Sequence, residues 1–239
     1  MRSAASTALL VGALLTSCGD EAVTPEESGD PGPTASQFSS APSEAEVAWL
    51  TEIPEGIPLD NGLPRADGDF TLQGIASEAD RQVLNLCGDL RLDEGSVAIG
   101  GWRAAGPEYG DVHQLRLYES DTAAHQALAS VVERMRTCKQ DRLGTSTTLF
   151  ERRDSAVDGS EEGVSIVETY ASGGMSMLGA QFFELARVGN ALLLTVNGGE
   201  YSPGPILDDA IAEHARTHVA SIVRAMCVFA AEPCGIDAH

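Results

Sequence analysis

The chain has 239 residues and is strongly acidic, with 15 Lys and Arg against 36 Asp and Glu and a formal net charge of −21. Proteins that bind nucleic acid need clustered basic side chains to contact the phosphates, so this balance argues against a nucleic-acid partner. Hydrophobic residues make up 43% of the chain, which is enough to build a buried core.

The N-terminus carries the pattern of an exported lipoprotein. Arg2 is followed by a small and apolar stretch from Ala4 to Leu15, which is too short to span a bilayer but fits the core of a signal peptide. The sequence Leu-Thr-Ser-Cys at 15–18 matches a lipobox, in which a cysteine after small residues is lipidated. We therefore predict a lipoprotein signal peptide at 1–17 and a lipid anchor, such as palmitate, on Cys18. An ordinary secretory signal followed by a chance cysteine is the alternative.

Residues 18–45 have the composition of a tether. They are rich in Pro, Ser, Glu and Gly, and their hydrophobic residues are too scattered to form a packed face, so we expect disorder. An acidic chain beside an anionic membrane is repelled and extended, which would hold the folded domain away from the lipid. The predicted partner is the membrane, through the lipid on Cys18, and the predicted location is the extracytoplasmic face of the cell membrane.

The remaining residues, 46–239, have the composition of one globular domain. The prolines of 49–64 predict an extended segment along the surface whose apolar residues pack inward. The elements predicted after it, in chain order, are strands at 97–103 and 112–118, a helix at 121–138, strands at 145–152, 163–170, 181–188 and 191–196, and a helix at 207–227.

Turn and burial signals then predict how these elements are connected. Gly189-Asn190 is a two-residue hairpin signal, and the run Leu192–Leu194 predicts a central strand that is covered on both faces. The segment 173–177 is predicted to be a flexible loop. Strands joined by short turns pair antiparallel, and each helix is expected to bury its apolar stripe on the sheet. The predicted fold class is α+β, an antiparallel β-sheet with two long helices packed on it, in the order ββα-ββββ-α.

Four cysteines remain after Cys18 is assigned to the lipid, an even number that is typical of disulfides in an oxidising compartment. Three pairings are possible. We prefer Cys87–Cys138, which ties the region before the first predicted strands to the end of the first helix, together with Cys227–Cys234, a local bridge after the last helix. The sequence contains no Cys-x2-Cys spacing that would support a metal site.

Two histidines on the predicted last helix have a spacing that is compatible with a metal site. His214 and His218 are four residues apart, so both imidazoles can lie on one helix face and bind zinc. The order Glu-His-Ala-Arg-Thr-His differs from His-Glu-x-x-His, so a metalloprotease base would be misplaced. His218 also falls on the apolar stripe of the helix, and His113 shares a strand face with Leu115 and Leu117. We interpret these histidines as packed side chains and predict no metal and no cofactor.

Catalytic motifs are equally lacking in the sequence. It contains no Gly-x-Ser-x-Gly, so we predict no catalytic residue and a protein that is not an enzyme. The alternative is a cell-envelope hydrolase whose site is assembled from residues that are distant in sequence. A cleft in which His113, His214 or His218 meets Asp, Glu or Ser at hydrogen-bond distance would favour this alternative, whereas an apolar and aromatic cleft would favour ligand binding.

The combined pattern resembles actinobacterial lipoproteins whose exported domain is similar to the extracellular sensor domain of PknH-type mycobacterial receptor kinases. The resemblance rests on the lipobox, the acidic tether, a strand that contains Trp102, the helix from Asp121 that closes at Cys138, and a last helix that ends at Cys227. It covers about residues 85–230. It implies an antiparallel sheet with helices, disulfide cross-links and a cleft for an unidentified small-molecule or envelope ligand. The expected function is that of a membrane-anchored lipoprotein with a non-catalytic, ligand-binding or sensor-like domain.

Overall fold

The computed structural model describes residues 47–65, 69–77, 79, 81–107, 109–155 and 157–232. The predicted signal peptide (1–17), the lipidation site Cys18, the predicted tether (18–45) and Cys234 lie outside these residues. Within the described part of the chain, every helix is too short or too polar to cross a membrane.

One large antiparallel sheet carries helices on both of its faces. The described strands are β1 (Thr71–Ile75), β2 (Leu84–Asn85), β3 (Asp89–Leu90), β4 (Ser96–Ala105), β5 (Gly110–Tyr118), β6 (Gln140–Leu143), β7 (Ser146–Asp154), β8 (Glu162–Ser172), β9 (Met175–Val188) and β10 (Ala191–Gly199). The described helices are α1 (Asp121–Thr137), α2 (Pro205–His214) and α3 (Ala220–Ala225), with a π-helical turn at Ala215–Val219 and a 3₁₀ turn at Met226–Phe229.

The strand order of the eight-stranded sheet is β1-β4-β5-β10-β9-β8-β7-β6, and β2 and β3 pair separately. The β10 strand therefore lies in the interior of the sheet. Leu192 and Leu194 join the core on one face, and Leu193 joins the core on the other. This confirms the predicted central strand that is covered on both faces, and the predicted hairpin at Gly189-Asn190 connects β9 to β10.

Alternate residues of β5 show that the helices cover opposite faces of the sheet. Val112 and Tyr118 pack in the core that contains the buried stripe of α1. Leu115 and Leu117 pack in the core that contains Val219 and the buried residues of α3. Because successive strand residues point to opposite faces, the sheet is the middle layer between the helices. The predicted α+β class with an antiparallel sheet is confirmed.

The last helical segment differs from the long helix predicted for 207–227. The α2 helix ends at His214, and a π-helical turn precedes the six residues of α3. In this turn the N–H of Ala220 donates to the carbonyl of Ala215, five residues back instead of four. Counting apolar positions at α-helical spacing does not detect one extra residue in a turn, so the sequence predicts a continuous helix. Such π-turns are rare and frequently occur at functional sites.

The order of elements along the chain also differs from the predicted ββα-ββββ-α, because the prediction omits the strands β1, β2, β3 and β6. All four residues of β6 are exposed, so this strand lacks the alternation of apolar and polar residues by which strands are predicted. The segment 173–177, predicted to be a loop, is a turn at Gly173-Gly174 followed by the start of β9 at Met175. The first four residues of β9 are exposed, and they too carry no burial pattern.

The predicted disulfide Cys87–Cys138 is confirmed. Its Cα atoms are 5.8 Å apart, and it joins the β2–β3 hairpin to the residue that follows α1. Cys138 is buried, as expected for the end of the apolar stripe of α1, whereas Cys87 is exposed in the turn of the hairpin. Cys227 is also disulfide-bonded, and its predicted partner Cys234 lies outside the described residues.

Candidate functional site

Three histidines from distant parts of the chain meet on the sheet face that α2 and α3 cover. His113 lies on β5, His214 is the last residue of α2, and His218 lies in the π-helical turn. The ring centroids are 4.9 Å apart for His214–His218, 5.9 Å for His113–His214 and 6.3 Å for His113–His218. One nitrogen of each ring lies within 4.8 Å of the corresponding nitrogens of the other two. These three residues are named the histidine cluster below.

The imidazole of His113 is fixed by the segment that precedes the sheet, which forms turns around Leu59 instead of the extended chain that its prolines predict. The ring is fully buried, and its Nδ1 lies 3.0 Å from the carbonyl oxygen of Leu59. A carbonyl can only accept a hydrogen bond, so Nδ1 carries the proton and Nε2 keeps its lone pair. Among the described residues, nothing makes a hydrogen bond with His113 Nε2. The fold therefore determines the tautomer and leaves one nitrogen available.

The imidazole of His214 is oriented by the two central strands. Its Nε2 lies 3.3 Å from the hydroxyl of Thr195, and its ring packs edge-on against Phe182 with centroids 5.2 Å apart. Thr195 is directly opposite His113 in the β5–β10 register, so strand pairing places the group that holds His214 beside His113. The remaining nitrogen, His214 Nδ1, is buried and has no partner in the described part of the chain.

His218 completes the cluster from the π-helical turn and is half-buried. The segment that precedes the sheet passes so close to the ring of His218 that a Cβ at Gly62 would lie 2.5 Å from its Cγ and Cδ2. The neighbouring Asn61 donates from its side-chain amide to the hydroxyl of Ser221 at 2.7 Å, which attaches this segment to α3. His218 Nδ1 is buried, and no described residue makes a hydrogen bond with it.

Burial keeps the three imidazoles in their neutral form. It lowers the pKa of His113 to about 4 and the pKa of His214 to about 3, and the neighbouring imidazoles add to this effect. Burial also lowers the pKa of His218. At neutral pH each ring therefore has one nitrogen with a lone pair, which is the protonation state that metal binding requires.

A buried carboxylate lies next to the cluster on the same strand as His113. Asp111 accepts hydrogen bonds at Oδ2 from the hydroxyl of Tyr109 at 2.7 Å and from the amide of Asn197 at 3.3 Å. Its other oxygen, Oδ1, lies 3.6 Å from His113 Nε2 and has no hydrogen-bond partner among the residues that the structure describes. Burial raises the pKa of Asp111 to about 6, so this carboxyl is still largely ionised at pH 7.

A cavity of about 240 Å³ opens beside the cluster. Its walls combine aromatic, amide and imidazole side chains, among them Tyr109, Phe182, Asn197, Tyr201, His214 and His218. The hydroxyl of Tyr201 donates to Asn197 Oδ1 at 2.8 Å, and Asn197 in turn contacts Asp111. The volume is below the range of about 300–1,000 Å³ that is typical of pockets for drug-sized ligands. It suits an ion with its water molecules or a small polar molecule.

The enzymatic alternative requires the geometry of a hydrolase at this cleft. His113 and Asp111 are separated by 3.6 Å, which is longer than a hydrogen bond. His214 does contact a hydroxyl, that of Thr195, but this residue is fully buried. Its hydroxyl is therefore not exposed at this cleft.

The interpretation of His214 and His218 as packed side chains agrees with their burial but misses their convergence with His113. The alternation along β5 correctly puts His113 on the face that it shares with Leu115 and Leu117, and the stripe of the last helix correctly turns His218 inward. Both signals predict a buried position. Neither signal predicts that the last helix covers the face of β5 on which His113 lies.

The chain was compared with family models, curated proteins and solved structures, and the matches came from solved structures. No family model and no curated protein matches the chain. Among solved structures it is similar to the extracellular domain of PknH from Mycobacterium tuberculosis, at 14% identity over 65% of this chain and 84% of that chain, with a TM-score of 0.45. It is also similar to an uncharacterised protein of Mycobacterium smegmatis, a Rv0999 ortholog, at 11% identity over 66% of this chain and 91% of that chain, with a TM-score of 0.36. At these values the likeness assigns no function to this chain.

Proposed function

We propose that this chain is an exported lipoprotein that is anchored through Cys18 at the extracytoplasmic face of the cell membrane. Its folded domain binds a small ligand at the histidine cluster and the adjoining cavity, without catalysis. The observation that carries this proposal is a concentration of four buried polar atoms without partners among the described residues, namely His113 Nε2, His214 Nδ1, His218 Nδ1 and Asp111 Oδ1.

Unpartnered polar atoms in a buried position destabilise a fold, because each atom has lost its hydrogen bonds to water without gaining others. Native proteins therefore leave few of them, and a cluster indicates that an ion, water or ligand supplies the missing contacts. The cavity beside His214 and His218 gives such a ligand a path from solvent. The full burial of Thr195 supports binding over hydrolysis at the same place.

Anchoring is tested by lipid labelling of the full-length chain in its host. The wild type is expected to incorporate a clickable fatty-acid probe and to enter the detergent phase in Triton X-114 partitioning. Cys18→Ala removes the thiol that would carry the lipid, so this variant should lose both properties. A Cys18→Ala variant that is still labelled and still partitions with membranes would show that the anchor lies elsewhere.

Ligand binding is tested by native mass spectrometry of full-length protein extracted from host membranes in a mild detergent. Ala210 lines the cavity, so Ala210→Phe should fill it and release the bound mass. Ala212 lies on the same helix but is exposed, and Ala212→Phe is the matched control that should retain the ligand. Wild-type protein without any bound mass, or equal retention by both variants, would contradict a ligand site in this cavity.

A further inference from the structure

We infer that the histidine cluster is a site for a divalent transition-metal ion, held by His113, His214 and His218. This inference rests on the proposed function, because the ion would be the ligand, or part of the ligand, that occupies the same site.

The four unpartnered atoms are three imidazole nitrogens and one carboxylate oxygen. His113 Nε2 carries a lone pair because Nδ1 donates to Leu59, and the oxygen of an ionised carboxylate can only accept. A cation would satisfy both atoms, and His214 and His218 can each present a lone pair to the same cation by their choice of tautomer. Imidazole nitrogen with carboxylate oxygen is a donor set that Zn²⁺ and the neighbouring divalent ions prefer.

The spacing of the cluster is close to the spacing that such an ion requires. One nitrogen of each imidazole lies within 4.8 Å of a nitrogen of each of the other two, and tetrahedral zinc with bonds of about 2.0–2.1 Å would hold three such nitrogens about 3.3 Å apart. The rings must therefore approach by about 1.5 Å at most. His113 and His214 are held by Leu59 and Thr195, whereas His218 is half-buried in the π-helical turn and is the side chain that we expect to move.

In two of the three histidines, the second ring nitrogen lies at hydrogen-bond distance from a group that can orient the ring, as is usual for metal ligands. A ligating imidazole typically donates its other N–H to a carbonyl, a carboxylate or a water, which fixes the ring and makes the free nitrogen a better donor. The carbonyl of Leu59 serves this purpose for His113 at 3.0 Å. The hydroxyl of Thr195 takes the same position behind His214 at 3.3 Å.

The local charge also favours a cation. Asp111 is a buried carboxylate whose Oδ1 lies 3.6 Å from His113 Nε2, and a divalent ion in the cluster would compensate its charge. Glu213 stands at the mouth of the cavity, and the net charge of −21 raises the concentration of cations at the surface. Three protein ligands would leave a coordination position of the ion open, which a water or a ligand group can take.

The test uses full-length protein in detergent, stripped with EDTA and titrated with Zn²⁺ by calorimetry and with Co²⁺ by visible absorption. Wild type should bind one ion with micromolar or tighter affinity and should show the d–d bands of Co²⁺ held by nitrogen ligands. His214→Ala and His218→Gln should each weaken binding at least a hundredfold. His218 is half-buried, so its variant keeps the test valid if His214→Ala does not fold.

His125 provides the matched control. It lies on α1 with its Nδ1 2.8 Å from Glu162 Oε2, away from the cluster, and His125→Ala should bind Zn²⁺ like the wild type. Stoichiometric Zn²⁺ binding that survives both cluster variants, or that is lost in His125→Ala, would overturn the inference. Absence of Zn²⁺ binding alongside a native-mass ligand that Ala210→Phe releases would overturn the metal but leave the proposed function standing. Absence of both would overturn the proposed function as well.

Discussion

The carbonyl oxygen of Leu59 lies 3.0 Å from Nδ1 of His113, across 54 residues of sequence. The segment around Leu59 is a tight turn in which the N–H of Leu59 donates to Ile57 at 2.8 Å and the N–H of Asn61 donates to Pro58 at 3.1 Å. The side chain of Leu59 is itself buried. The segment before the sheet therefore helps to build the histidine cluster, since it sets the tautomer of His113 and borders His218.

The same segment offers a substitution that disturbs the cluster without removing a histidine. Gly62 has φ +79, and a Cβ there would lie 2.5 Å from the ring of His218, so Gly62→Ala must displace the ring or the segment. We expect Gly62→Ala to weaken Zn²⁺ binding at least tenfold while the far-ultraviolet circular dichroism stays that of the wild type. Calorimetric titration of the two proteins measures the difference.

Gly56→Ala separates this displacement from simple backbone strain. Gly56 also has a positive φ, of +97, but no described atom lies within 4 Å of the position that a Cβ would take there. Alanine should cost about 1–2 kcal/mol of stability at such a conformation and should leave Zn²⁺ affinity unchanged. Equal losses of affinity in both variants would show that the close approach of Gly62 to His218 has no role in the site.

Local patterns predict much of this fold because they depend on neighbours in sequence. The apolar stripe of α1, the alternation of β5 and the hairpin at Gly189-Asn190 are periodic or turn signals, and each predicted element is present. The Cys87–Cys138 bridge is one of three possible pairings, and the sequence favours it because a local bridge between Cys227 and Cys234 would leave these two cysteines to pair. The exposed strand β6 and the exposed start of β9 have no such pattern, so the sequence does not predict them.

Sequence patterns identify the individual histidines of the candidate site but do not predict that they come together. Helical spacing singles out His214 and His218, and strand alternation puts His113 on a buried face, but two histidines four residues apart do not by themselves make a site. The third group comes from another strand, and the pattern along a strand does not determine which helix will cover it. The π-helical turn at Ala215–Val219 adds a change of geometry that α-helical spacing does not contain.

A second glycine is required by the turn between β9 and β10. Gly189 has φ +54, and a Cβ there would collide with the backbone carbonyl of Phe229, which is held in the 3₁₀ turn. Gly144 has a similar φ of +64 in the turn between β6 and β7, with no described atom within 4 Å of an added Cβ. We expect Gly189→Ala to destabilise the domain by about 2 kcal/mol more than Gly144→Ala. Urea unfolding measures both, and equal losses would contradict the tight packing of the turn against Phe229.

The Cys87–Cys138 disulfide should contribute most of its stabilisation by restricting the unfolded chain. Its cysteines are 51 residues apart, for which loop-closure entropy corresponds to about 4 kcal/mol. The double variant Cys87→Ala, Cys138→Ala should therefore unfold at a markedly lower guanidinium concentration than the wild type. The single variant Cys87→Ala, measured under the same oxidising conditions, should lose nearly as much, because it opens the same loop. A loss below about 1 kcal/mol in the double variant would contradict this role.

Glu184 on β9 gives the domain a pH dependence whose sign can be worked out. The side chain is buried, its two oxygens accept hydrogen bonds from the hydroxyls of Ser155 and Ser165, and burial raises its pKa above the ordinary value of 4.5 while the hydroxyls oppose the shift. An acid with a raised pKa in the folded state stabilises the fold fully below its unfolded pKa, and this contribution is lost as the pH rises through the folded pKa. Gln at this position cannot ionise, so the stability of Glu184→Gln relative to the wild type should increase between pH 4 and pH 7.

Urea unfolding at several pH values with EDTA present measures this change. The exposed Glu55 provides the control Glu55→Gln. A stability difference for Glu184→Gln that varies no more with pH than that of this control would show that the buried carboxyl does not control the pH dependence.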